Sequence, residues 1–187
     1  MFRNAGTPAF FLLKCLFFGL LIGTGWTQPM ALGQGADSNH GVSFAISQRR
    51  TVHLYFSDRQ MQYLLAEKRE LLCDGDDLSL GQCILSALIE GPESRLVGTI
   101  PKGTELKAFF ITDDGTAIAD FSDAVSRNHP GGVRSELFTV YAIVNSLTLN
   151  LSNVNRVQIL IDGHMQETLA GHIDLSDPFK ANILLIR

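Results

Sequence analysis

Apolar and polar residues alternate through Val52-His53-Leu54-Tyr55-Phe56, with Val52, Leu54 and Phe56 on one face and His53 and Tyr55 on the other. That period of two belongs to a strand with one side buried, and Ser57-Asp58 ends it. Residues 61–72 fit two patterns: Glu67-Lys68-Arg69-Glu70 favours helix, whereas Tyr63-Leu64-Leu65 and Leu71-Leu72 suit a strand, the reading adopted. The period then changes. Leu80, Ile84, Leu85, Leu88 and Ile89 recur as on one face of a helix, with Asp76 or Asp77 placed to cap it and Gly91-Pro92 to stop it. A turn at Ile100-Pro101-Lys102-Gly103-Thr104 leads into a strand from Glu105 to Thr112 whose Leu106, Ala108 and Phe110 share a face.

Asp113-Asp114-Gly115-Thr116 supplies the positive φ of a tight hairpin, so the next strand, Ala117 to Phe121, should run antiparallel to its predecessor. Beyond Pro130-Gly131-Gly132, the residues Val133, Leu137, Val140, Tyr141, Val144, Leu147 and Leu151 form one apolar helical stripe. Arg134, Ser135, Glu136, Thr139, Asn145, Ser146 and Asn150 lie off the stripe, and the pattern predicts that they face water. A strand over residues 154–161 ends at Asp162-Gly163, and Ile183 to Ile186 is the candidate final edge strand.

Strands and helices in this order predict an α+β fold, a two-layer α/β sandwich with a mostly antiparallel sheet and two helices on one face. The long second helix should lie flat across the strands and leave no reactive cleft. No repeat, heptad run or Gly-rich phosphate loop is present in the sequence. A folded part of about 150 residues buries enough surface to need neither a metal nor a disulfide.

Residues 1–33 read as a signal peptide: Arg3 and Lys14 precede an apolar or small run of 11 residues, Cys15 to Gly25, shorter than the ~20 needed to span a bilayer. Ala31-Leu32-Gly33 suits cleavage before Gln34; the alternative is an uncleaved segment anchored in the membrane. Lys14 directly before Cys15 argues against a lipid-attachment site. Residues 34–50 are small and polar, as in a linker, which assigns the domain to residues 51–187. The formal net charge of −4, falling to −6 if Arg3 and Lys14 leave with the leader, gives no attraction for nucleic acid.

Export would put Cys73 and Cys83 in an oxidising compartment, where they either form a bridge or remain separate thiols. Their spacing matches neither a redox CxxC nor a zinc pattern.

The ordered segments Leu54-Tyr55-Phe56, Leu88-Ile89-Glu90-Gly91-Pro92, Ile100-Pro101-Lys102-Gly103-Thr104, Ala119-Asp120-Phe121-Ser122, the helix core Tyr141 to Thr148 and Val157 to Gly163 resemble the GerMN domain of bacterial sporulation and germination proteins. The resemblance covers roughly residues 50–175. It implies an extracytoplasmic module that joins envelope complexes through protein contacts, with no catalytic residues and no cofactor. The chain departs from the founding sporulation proteins in having a single copy of the domain and no lipid-attachment cysteine, so neither a sporulation role nor an oligomeric state follows.

Candidate chemistry is sparse. Asp74, Asp76 and Asp77 lack the Gly and Glu of a calcium loop, with Ser79 and Leu85 standing at those positions, and read as capping carboxylates. His53, His164 and His172 could be imagined with Cys83 or Ser146 as base and nucleophile, but Ser146 lacks the Gly-x-Ser-x-Gly setting. Asp120 and Asp162 close strands, where carboxylates satisfy turn amides. The loops holding Asn128 and His129, and Asp162, Gly163 and His164, are the candidate interaction sites, together with open sheet edges. The expected partners are envelope proteins or a second copy of the chain; the alternative is a periplasmic binder of peptidoglycan or a small ligand.

Overall fold

The computed structural model describes residues 47–187. The proposed leader, Cys15 and most of the linker lie outside the described residues. The first strand, β1 (Gln48–Ser57), begins inside the stretch read as linker. It pairs antiparallel with β2 (Leu64–Cys73) in a register running from Gln48↔Cys73 to Ser57↔Leu64, so residues 61–72 resolve as turn and strand. The Asp58 carboxylate fastens that turn by accepting from the N–H groups of Gln62 and Tyr63.

Helix α1 (Asp77–Glu90) starts where Asp76 Oδ1 accepts from the Ser79 N–H at 2.6 Å and ends at Gly91, whose φ of 96° a side chain would resist. Three strands follow around a second sheet: β3 (Leu106–Ile111), β4 (Thr116–Phe121) and β5 (Arg156–Ile161), in the order β3-β4-β5. β3 and β4 are the antiparallel hairpin expected at Asp114-Gly115, whereas β4 and β5 run parallel. A parallel pair needs a long crossover, and here a short helix α2 (Ala124–Arg127) and the long α3 (Val133–Thr148) supply it.

The fold is α+β, as the pattern predicts, but its strands divide into two sheets. Helix α1 packs on β1, β2 and β3, and α3 packs on β1, β5 and α1. Both helices therefore touch both sheets, and one apolar core joins Leu54 and Phe56 of β1 to Phe121, Val144, Leu147 and Ile159.

Three expectations need correction. In β3, a bulge between Leu106 and Ala108 shifts the alternation. Phe109 is consequently the buried ring at 3% exposure, while Phe110 is 57% exposed. The tail forms a 3-10 turn at Ile183–Leu185, because the Asn182 side chain accepts from the Leu184 N–H and curls the backbone. Only Ile186 and Arg187 reach β2, where the Arg187 N–H meets the Leu64 carbonyl. Most consequential is α3, whose off-stripe residues Glu136, Thr139, Asn145 and Ser146 are all fully buried.

Candidate functional site: a helix of buried anchors and a polar cleft

Each off-stripe polar group on α3 or just past its end, other than Ser135, satisfies backbone that no regular structure covers. Asn150 accepts from the His53 N–H at 2.9 Å and donates to the His53 carbonyl at 2.8 Å; Ser146 Oγ accepts from the Tyr55 N–H at 3.0 Å. These bonds occupy the edge of β1 that β2 leaves open. Asn145 makes a reciprocal pair with the backbone of Asn182, at 2.9 and 3.2 Å. Thr139 Oγ1 donates to the Thr99 carbonyl at 2.6 Å.

Glu136, 0% exposed, holds the longest irregular segment. One carboxylate oxygen accepts from the N–H groups of Ala170, His172 and Ile173 at 3.0–3.1 Å, and the other from His172 Nδ1 at 2.6 Å. Burial disfavours the charge, but the Ile173 amide, the His172 ring and the remaining amides outweigh it and hold the carboxyl below its ordinary range. The segment so anchored covers the outer edge of β5, where Val157 and Phe179 exchange backbone bonds at 2.8 Å. Nothing in the sequence marks Glu136 out, because it resembles any acidic residue in a helix's first turn.

The candidate loop residues have separate fates. His129 is a fold element: Nδ1 accepts from the Gly131 N–H at 3.0 Å, which leaves Nε2 to donate to Thr139 Oγ1 at 3.0 Å. Burial pushes its pKa down, favouring this neutral ring. Asn128 is exposed and donates to the Lys102 carbonyl at 3.0 Å. Asp162 and His164 meet Asp123, Ser126 and Arg127 of the α2 region around an open cleft of about 270 Å³.

Its charges are paired. The Asp162 carboxylate accepts from Lys107 Nζ at 2.7 Å, which lowers the Asp162 pKa and raises that of Lys107; Asp123 pairs with Arg127. Asp120 accepts from the Gly163 N–H at 2.8 Å, satisfying a turn amide. Asp162 itself sits at φ 51°, and His164 Nδ1 donates to its carbonyl at 2.6 Å.

His172 is tied to Glu136, Ser146 to Tyr55, and Cys83 lies in a disulfide with Cys73, their Cα atoms 6.4 Å apart and within the span a bridge allows. The structure therefore brings none of the imagined nucleophile and base pairs together. Among the described residues, no group of three or more His, Cys, Asp or Glu is placed to hold a metal, and no helix is long and apolar enough to cross a membrane. β2 and β3 each pair with a strand on one side only, leaving most of their outer edges open among the described residues.

Comparison with known proteins adds the family. The Germane family, described as sporulation and spore germination, matches residues 53–167. A Clostridium perfringens protein provisionally assigned as a lipoprotein is 33% identical, with 71% of this chain and 87% of that one covered and a TM-score of 0.51. The first GerMN domain of the sporulation protein GerM from Bacillus subtilis is 25% identical over 70% of this chain and 97% of that one, TM-score 0.58. Against the tandem GerMN domains of the same protein, the fold aligns with TM-score 0.59 at 24% identity, over 71% of this chain and 46% of the tandem chain. No curated protein matches. The chain belongs to the Germane family and carries a GerMN domain.

Proposed function

We propose that this chain is an exported, non-enzymatic binding module of the bacterial cell envelope that joins protein partners through its loops and open strand edges. The observation that supports this reading is the commitment of both candidate nucleophiles to the fold. Ser146 Oγ is buried on a strand amide and Cys83 lies in a disulfide, while His129 and His172 are engaged by neighbouring groups. The free features suit recognition: the α2 cleft offers paired charges and adaptable polar groups, and an edge strand can accept a partner's strand by main-chain hydrogen bonds. Export is supported by the leader pattern and by the provisional lipoprotein assignment of the C. perfringens relative.

The test is crosslinking in cells from photo-reactive residues placed at Asn128 and His164, followed by pull-down and mass spectrometry. Recovery of envelope proteins is expected. Recovery of the free monomer alone, with normal envelope function after gene deletion, would count against the proposal. Co-sedimentation of the purified protein with peptidoglycan would favour the glycan-binding alternative.

A further inference from the structure

A second cavity shares no lining residue with the α2 cleft. It lies between the β1–β2 turn, residues 97–101 and the start of α3, lined chiefly by Met61, Val97, Ile100, Pro101, Pro130 and Phe138, with a volume of about 170 Å³. An apolar site of about 150 Å³ holds a benzene-sized group, whereas drug-sized ligands need about 300 Å³ or more. The space therefore suits one aliphatic or aromatic side chain.

One wall group is out of keeping with an idle apolar hollow. Thr99 lines the cavity, and its hydroxyl is buried without a hydrogen-bond partner. Its carbonyl is already held by Thr139, so its backbone is fixed in place. A buried hydroxyl left unpaired is unfavourable, and since solvent does not reach it, a rotation of the Thr99 side chain is what would offer it to an incoming polar atom.

The rim is basic on a chain whose formal net charge is −4. Arg134 Nη1 donates to the carbonyl of Met61 at 2.9 Å, and Arg59 Nε to the carbonyl of Arg95 at 3.3 Å, which sets three exposed arginines beside the cavity-lining segments. Two carboxylates, Asp58 and Glu93, stand near the same segments and the Arg69–Glu67 pair cancels, so the three arginines leave the rim net positive by one charge.

We infer that this cavity is a socket for a single Leu- or Phe-sized side chain presented by an acidic segment of a partner protein, with a polar atom of that segment meeting the Thr99 hydroxyl after the Thr99 side chain rotates towards it. The proposal rests on the reading of the chain as a binding module. It is tested by direct peptide binding, so its failure is distinct from a failure of crosslinking at the α2 cleft.

The assay is fluorescence anisotropy of a labelled decapeptide of Asp and Glu with one central Leu, titrated with the full-length chain in mild detergent. Replacing the central Leu by Ala removes three buried carbons and should weaken binding about fiftyfold. Val97→Trp should fill the mouth and abolish binding, with circular dichroism reporting its fold. The exposed Arg134→Glu and a rise in salt should each weaken binding, because the attraction is screened. Thr99→Val, close in shape, should weaken it by removing the hydroxyl. No binding at the highest protein concentration, equal affinity for the Leu and Ala peptides, or indifference to both Val97→Trp and Arg134→Glu would overturn the proposal. Variant-sensitive binding of phosphatidylglycerol vesicles in place of the peptide would overturn it too, assigning the surface to lipid.

Discussion

Replacing Glu136 by Ala removes a buried acceptor that serves three amides and one imidazole. Each hydrogen bond to a charged group contributes about 1.5–3 kcal/mol, but the four are not additive, because residues 170–173 can swing into water once released. Breaking a buried charged contact by deleting one partner costs about 3–5 kcal/mol, which bounds the effect. With a urea m-value of about 2 kcal/mol/M, a loss of about 4 kcal/mol moves the unfolding midpoint down by about 2 M. Glu136→Gln keeps one oxygen for the three amides and should cost only about 1–2 kcal/mol. Glu136 ionises below the ordinary glutamate range, so its stabilisation is complete above about pH 4.3 and fades as pH falls through the folded value. The stability gap between wild type and Glu136→Gln should therefore be full at pH 7 and close on acidification. Urea titrations followed by far-UV circular dichroism, repeated from pH 7 to pH 3, measure both. A midpoint shift below about 0.3 M for Glu136→Ala would mean that this face of α3 is solvated.

Other sites make sharp expectations. Glu67 accepts from the N–H groups of Glu93 and Ser94 and pairs with Arg69, whose guanidinium also donates to the Gly91 carbonyl at 3.1 Å at the end of α1. Burial opposes its charge, but Ser94, the Glu93 amide and Arg69 prevail and bring it down to about 2. Its contribution is thus present above about pH 4.3 and lost towards pH 2, and Glu67→Gln should flatten that part of the acid-unfolding curve. Gly81→Ala, which helix propensity alone would favour by about 1 kcal/mol, should instead destabilise by about 1–3 kcal/mol, because the added methyl falls against the buried Phe109 ring; thermal unfolding reads the sign. Peptide mapping without reductant should recover Cys73 and Cys83 linked, and Cys73→Ser should lower stability by about 2–3 kcal/mol.

The apolar half of the pattern was legible in the sequence. Val52, Leu54 and Phe56, Leu80, Ile84, Leu85 and Leu88 of α1, and Val140, Val144 and Leu147 are all buried, since periodicity reports which face an element turns towards a core, although Ile89 is half-buried and Val133, at the start of the α3 stripe, is exposed. The Asp76 cap and the Gly91 stop were legible because they act within a few residues of chain. Glu136, Asn145 and Ser146 were not, because their partners at Ile173, Asn182 and Tyr55 lie tens of residues away, and a buried acceptor has the same letter as a solvated one. The β3 bulge hid Phe109 in the same way, by shifting the alternation after Leu106. Of the candidate loops, Asp162 and His164 reach a shared cleft, while His129 serves the fold, a difference set by the Gly131 amide and Thr139.

Polar side chains of and beside α3 act as internal fasteners of the fold. Native-state hydrogen exchange of the amides of His53, Tyr55, Ala170, His172, Ile173 and Asn182 tests this directly, since all six donate to those side chains. Protection approaching that of the amides within β4 is predicted. Exchange at the rate of open loops would contradict the account.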